Sequence, residues 1–215
     1  MGTWAHPGVT AQAHDMASVW FVYLAVAFGV AVVVYGSIIW CLARYRRREG
    51  RAAASFSSNR ALEITLALIP LAIVTALFVW SYRVEARVDA TSSGPGVSVD
   101  VTAFQWSWRF RYPRYAISVV GTPSTSPVLV LPVDETAHVS LRSADVDHAF
   151  WVPAFLFKRD AIPGNVSRFD VTPTQTGTFR GRCAEFCGID HALMVFDVRV
   201  VSQRAWASWI ASGGK

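Results

Sequence analysis

The sequence predicts a two-helix membrane hairpin followed by an all-β domain, and three observations carry that prediction. Two apolar runs, residues 19–42 and 64–82, contain no charged residue. Between them lies a short stretch holding six of the chain's twenty Lys and Arg residues. From Arg83 onward the composition turns nearly neutral, with fourteen basic and twelve acidic residues. There, short apolar runs alternate with Gly/Pro turns. The resulting division is an N-terminal segment (1–17), a first spanning helix (18–43), a basic loop (44–60), a second spanning helix (61–83) and a β domain (84–215).

Each segment has its own physical argument. A spanning helix needs about 20 apolar residues, and the first run exceeds that. It is too long for a signal-peptide core, and no basic residue precedes it. Trp20, Tyr23, Trp40 and Tyr45 sit toward its ends, where interfacial aromatics belong. Pro70 in the second run is tolerable in lipid, because a neighbouring helix can take up the freed carbonyl. A run such as Arg44, Arg46, Arg47, Arg48 and Arg51 could mark a nucleic-acid patch. Between two spanning helices it is the positive-inside signal, so the net charge of +5 implies no nucleic-acid partner. The loop is then cytoplasmic, and both termini lie on the outer side.

In the last segment, turn signals recur at 93–96, 122–124 and 162–165. Val97, Val99 and Val101 share one face of a strand, and Phe104, Trp106, Trp108 and Phe110 share the next. The change of phase near Ala103 predicts a bulge or bend. Short strands with Gly/Pro turns argue an antiparallel sandwich or barrel. Residues 205–210 are a short helix candidate with no evident purpose.

The chemistry concentrates in residues 183–194. Cys183, Cys187, His191 and Met194 lie within twelve positions, between runs 178–181 and 195–201 that read as strands. Two thiols, an imidazole and a thioether are a soft ligand set that selects copper and could also serve zinc or an iron–sulfur cluster. Zinc fits poorly, since its usual spacings are absent and methionine is not a usual zinc ligand. A Cys183–Cys187 disulfide is the plain alternative, and it leaves His191 and Met194 unexplained.

The pattern C-x-E-x-C-G-x-x-H-x-x-M formed here by Cys183, Glu185, Cys187, Gly188, His191 and Met194 resembles the binuclear copper (CuA) loop of subunit II of haem–copper cytochrome c oxidases. Asp145, Val146 and His148 resemble the family's D-V-x-H segment, and His148 precedes Cys183 by thirty-five residues. Residues 158–164 resemble its K-x-D-A-I-P-G turn. The resemblance implies a cupredoxin-like Greek-key sandwich. It also implies bridging thiolates from Cys183 and Cys187, one imidazole each from His148 and His191, a weak Met194 thioether, and the backbone carbonyl of Glu185 as the remaining donor. The Glu185 carboxylate would face a magnesium site shared with subunit I. Trp106, in a Q-W-x-W segment, would be the electron-entry residue, with plain packing as the alternative. Trp108 and Phe110 read as core. Glu63 would stand at a proton-channel mouth, or else simply favour the helix dipole. His6, His14 and His138 have no metal role in this reading, and Cys41 reads as a packing thiol.

The implied function is electron acceptance from cytochrome c at CuA and delivery to haem in subunit I. There, oxygen is reduced to water with coupled proton translocation. The implied partners are subunit I with its haem and CuB, other oxidase subunits and membrane lipid, in a bacterial inner membrane. The domain lacks a strong acidic excess, so a neutral, acidic or membrane-bound cytochrome fits as donor as well as a basic one. Another haem–copper enzyme, such as a nitric oxide reductase, could carry the same module.

Overall fold

The structure, a computed structural model, describes residues 8–46, 58–94, 96–122 and 124–215. Most of the predicted basic loop, including Arg47, Arg48 and Arg51, lies outside the described residues, as do His6, Pro95 and Pro123. The chain divides into two compact units. One is Ser18–Glu85; the other joins the residues up to Ala17 with Ala86–Lys215.

The first unit is made of most of two long helices, α1 (Ala11–Arg44) and α2 (Arg60–Val88), whose outer ends belong to the other unit. Their most apolar windows reach a mean hydropathy of 2.4, yet almost none of that surface is buried. Side chains such as Phe28 and Phe78 point outward. In water, such an exterior would have to be covered; in lipid it is the right one. Two hydroxyls inside are satisfied locally, Ser37 Oγ donating to Val33 O at 2.6 Å and Thr75 Oγ1 to Leu71 O at 2.8 Å. Tyr23 Oη and Ser81 Oγ, 3.0 Å apart, link the two helices. Cys41, read from the sequence as a packing thiol, is exposed.

Ten strands make up the second unit among the described residues: β1 (Val97–Phe104), β2 (Ser107–Tyr112), β3 (Ile117–Val120), β4 (Val128–Pro132), β5 (Ala137–Ser143), β6 (His148–Val152), β7 (Phe157–Ala161), β8 (Ser167–Val171), β9 (Gly177–Cys183) and β10 (Val195–Val201). They form two five-stranded sheets, ordered β3-β2-β1-β5-β8 and β4-β10-β9-β6-β7. The sandwich is not purely antiparallel. β1 runs parallel to β5, and β4 parallel to β10, because the chain crosses between sheets before returning. The phase change near Ala103 is a tight turn at Gln105 and Trp106, not a bulge. That turn hands the buried face from Val97, Val99, Val101 and Ala103 to Trp108, Phe110 and Tyr112.

An aromatic stack fills the space between the sheets. Phe196 of β10 lies 4.7 Å from Phe150, 5.1 Å from Trp108 and 5.6 Å from Phe110, centroid to centroid. Gly181 of β9 is required by that stack, since a Cβ there would stand 2.2 Å from Phe196 Cζ. Gly181→Ala is therefore expected to destabilise the domain by about 1–3 kcal/mol through overpacking. Chemical denaturation followed by tryptophan fluorescence checks this.

Two terminal segments close the sandwich. The N-terminal residues add to it through Ala11 N–H to Thr172 O (2.9 Å), Thr174 N–H to Val9 O (2.9 Å) and Val9 N–H to Ala154 O (3.1 Å). The tail forms α3 (Gln203–Ala211), capped by Ser202, whose Oγ accepts from Ala205 N–H. Its purpose is packing: Trp206 and Trp209 lie 5.9 and 5.0 Å from the Tyr112 ring.

Candidate metal centre

The predicted ligands arise from adjacent strands of one sheet. β6 opens on His148, β9 closes on Cys183, and the connection to β10 carries Glu185, Cys187, His191 and Met194. Strand pairing sets Phe150 opposite Cys183. The connection is pinned at both ends by Ala184 N–H to Ala149 O (3.1 Å) and Cys183 N–H to Met194 O (2.9 Å). Inside it, a 3-10 turn over His191–Leu193 directs the imidazole back toward the cysteines. Gly188, at φ 122°, permits the preceding reversal, a conformation rarely open to side-chain-bearing residues.

The donors converge. The two sulfurs lie 3.9 Å apart, so the cysteines are free thiols and not a disulfide, which would require about 2.0 Å. Cys183 Sγ lies 3.7 Å from His148 Nδ1 and 3.2 Å from the Glu185 carbonyl oxygen. Cys187 Sγ lies 3.4 Å from His191 Nδ1 and 3.7 Å from Met194 Sδ. His148 and Met194 are fully buried and the cysteines nearly so. Each thiol thus has an imidazole and one further donor beside it. Soft sulfur and imidazole donors at these separations, with His148 and all three sulfurs buried, fit a copper centre.

Surrounding groups prepare the site. The Asp145 carboxylate bonds His148 Nε2 at 2.8 Å, which leaves Nδ1 to face the sulfur. Although partial burial opposes it, the N–H of Gln105, the His148 imidazole and the N–H of Val146 hold the Asp145 carboxyl below its usual range. Burial likewise opposes protonation of His148, but Cys183 and Asp145 together raise its pKa. Burial disfavours both thiolates as well. At Cys183 the His148 imidazole and the backbone at Ala149 win and bring the pKa down to about 7. At Cys187 burial and the neighbouring Cys183 charge push it up to about 12.

Between those values the pair holds one proton, which a metal must displace. Cu(I) affinity of the metal-free chain should therefore rise with pH through neutrality by at least about tenfold per pH unit, since the raised His148 proton must leave as well. Chelator competition across a pH series measures the slope; a flat profile would remove the thiols from the ligand set.

The remaining predicted residues are distributed as follows. Trp106 is half-buried in the β1–β2 turn, and its Nε1–H donates to Cys187 O at 3.1 Å. Trp108 and Phe110 are core, as their alternation implies. The Glu185 carboxylate is half-exposed, 3.7 Å from Lys158 Nζ. Glu63 lies in the first turn of α2, its Oε1 accepting from Asn59 N–H at 3.4 Å. His138 bonds Asp170 Oδ1 at 2.7 Å, and His14 Nε2 lies 3.3 Å from Gly8 O. Two contributors had no role in the sequence reading. Asp145 was part of a matched motif, and its position three residues before His148 was the available signal. Gln105, whose Nε2–H donates to Cys187 O at 2.7 Å, was the first residue of the matched Q-W-x-W segment, and that position was its signal.

Comparison with known proteins agrees over both units. Residues 2–84 match the family described as "Cytochrome C oxidase subunit II, transmembrane domain", and residues 97–201 match "Cytochrome C oxidase subunit II, periplasmic domain". A probable cytochrome c oxidase subunit 2 of Streptomyces avermitilis is 36% identical over 90% of this chain and 73% of its own length. Cytochrome c oxidase subunit 2 of Mycobacterium bovis is 30% identical over 94% of this chain and 72% of its own. The crystal structure of the periplasmic domain of subunit II (CoxB) of Bradyrhizobium japonicum superposes with a TM-score of 0.52 at 32% identity, covering 57% of this chain and 96% of that one. A related solved structure, at 33% identity, TM-score 0.51 and covering 57% of this chain and 95% of that one, is a mixed disulfide intermediate between a thioredoxin-like protein and subunit II. With two helices long and apolar enough to cross a membrane, a ten-strand sandwich and a sulfur–imidazole cluster on adjacent strands, the chain belongs to the cytochrome c oxidase subunit II family.

Proposed function

We propose that this chain is the electron-entry subunit of a respiratory haem–copper oxidase, with His148, Cys183, the Glu185 carbonyl, Cys187, His191 and Met194 holding a binuclear copper centre. The observation that carries the reading is the convergence of these six donors at the buried end of one sheet. When bound, such a centre would supply one-electron transfer, with the Cys183 and Cys187 thiolates as the principal groups that would hold it. The chain's own residues do the rest. The β-scaffold fixes the donors and so limits reorganisation, burial excludes water, and Asp145 holds the His148 tautomer.

Trp106 is the proposed entry point for electrons from cytochrome c or a membrane-bound cytochrome, because its indole N–H rests on the backbone of a ligand residue. Delivery would be to haem in subunit I, where oxygen is reduced with coupled proton translocation. Glu185, whose half-exposed carboxylate lies 3.7 Å from Lys158 Nζ, is the proposed contribution to a magnesium site at that interface. Glu63, near the cytoplasmic end of α2, is the proposed proton-channel residue. The setting would be a bacterial inner membrane, crossed twice. Two free thiols 3.9 Å apart are also open to oxidation before loading. By analogy with the solved mixed disulfide, a thioredoxin-like reductant would keep them competent.

The test is copper loading of the full-length chain in detergent under reducing conditions. A ratio of about two coppers per chain, with one unpaired electron shared over both in the paramagnetic resonance spectrum, is the expected result. A mononuclear copper spectrum, or an oxidised cysteine pair without copper, would overturn the assignment.

A further inference from the structure

We infer that Asp145 is a positioning residue that fixes the Trp106 turn against the metal-binding loop, and that it does so by bonding the turn and a ligand imidazole with the same carboxylate. Its Oδ2 accepts from Gln105 N–H at 2.7 Å. Its Oδ1 faces His148 Nε2 at 2.8 Å and accepts from Val146 N–H at 2.7 Å. On the far side of the turn, Gln105 Nε2–H and Trp106 Nε1–H both donate to Cys187 O, at 2.7 and 3.1 Å. A carbonyl oxygen has two lone pairs, and these two donors fill them. Gln105 is thereby held at both its backbone and its side chain.

The circuit runs from His148 through Asp145 and Gln105 to Cys187, and so joins the two sheets at the end where the donors meet. Gly188 completes it. A Cβ at that position would lie 3.1 Å from Trp106 Nε1 and 3.2 Å from Gln105 Nε2, so the indole and the amide rest directly on a backbone that has no side chain. Without the Asp145 acceptor, the Gln105 N–H would lose its partner while the turn kept only its contacts to Cys187 and Gly188. Asparagine cannot replace the carboxylate. Its single oxygen can accept from Gln105 N–H or from His148 Nε2–H, and its NH2 group then meets the other donor.

The functional part of this inference rests on the electron-entry reading of Trp106; the structural part does not, and the test separates them. In the metal-free full-length chain in detergent, Asp145→Ala should speed hydrogen exchange of the Gln105 amide and the Trp106 indole by about tenfold or more, the loss expected for a charge-assisted hydrogen bond. Amides of the β1–β5 ladder such as Val101 should be unchanged. Asp145→Asn should reproduce the effect at one end of the circuit, moving either the Gln105 exchange or the His148 tautomer seen by nitrogen chemical shift. Should Asp145→Ala not fold, Gln105→Met opens the same circuit from the other side, and accelerated Trp106 indole exchange is again expected.

Unchanged indole exchange in a folded Asp145→Ala or Gln105→Met chain would overturn the positioning role. In the assembled, metal-loaded oxidase, Asp145→Asn should lower kcat with cytochrome c severalfold. Turnover driven by a small hydrophilic reductant that needs no protein docking should be unaffected. Equal losses with both reductants would overturn the link to electron entry. Normal turnover in Trp106→Phe would instead overturn the Trp106 reading, leaving the exchange result standing.

Discussion

Cys187→Ser should abolish the shared copper signal and weaken copper binding by more than about a hundredfold, beyond what loss of an outer hydrogen bond usually costs. Cys187 Sγ is in contact with the Cys183 sulfur, the His191 nitrogen and the Met194 sulfur, so its loss separates all three. Serine offers a hard oxygen that stays protonated near neutrality, whereas the set around it is soft. Cys183→Ser should act alike, and His148→Ala should leave at most an altered, localised spectrum. Met194→Leu is the contrast. It keeps the buried volume and removes a thioether that touches only one sulfur, so binding should survive with a changed spectrum. Copper per chain and the paramagnetic resonance spectrum report all four. A delocalised signal in Cys187→Ser would show that this sulfur does not bridge.

Phe196→Ala should cost about 3–5 kcal/mol of the stability of the sandwich, the usual range for truncating a buried aromatic. The ring is fully buried and touches aromatic side chains from both sheets. The cavity cannot close easily, because Trp108 and Phe150 are themselves wedged edge to face at 5.8 Å. Against a total that is commonly about 5–15 kcal/mol, such a loss brings the domain near its limit. Phe196→Leu should cost less, since most of the volume remains. Denaturant midpoints of the two variants give the comparison, and equal midpoints would mean that the site relaxes freely. Trp108 is also 6.4 Å from the His148 ring, so the alanine variant should loosen metal binding as well.

The ligand loop was legible because its donors are contiguous and their spacing is itself the pattern. His148 was legible only through its matched motif, since pairing of β6 with β9 is what brings a residue thirty-five positions away to the sulfurs. The hairpin was legible from hydropathy alone. The alternation of Phe104, Trp106, Trp108 and Phe110 suggested one continuous strand, but a turn preserves the same period, so Trp106 belongs to a loop and Trp108 to the core. The bonds from Asp145 to Gln105 and from Gln105 to Cys187 span 40 and 82 residues. No local rule could have supplied them. The parallel pairs were missed for the same reason: strand direction within a sheet depends on crossings that a run of apolar residues does not encode.

The N-terminal segment has a consequence in time. Val9 and Ala11, which precede both apolar helices in the chain, bond to Ala154, Thr172 and Thr174, which follow them. Gln12 waits likewise, its Oε1 accepting from Thr172 N–H at 3.1 Å. These bonds can therefore form only once both helices and the later strands have been made, and long sequence separation makes such closure slow. Their docking is thus a late event in folding, a seal set only when the domain that needs it has been made.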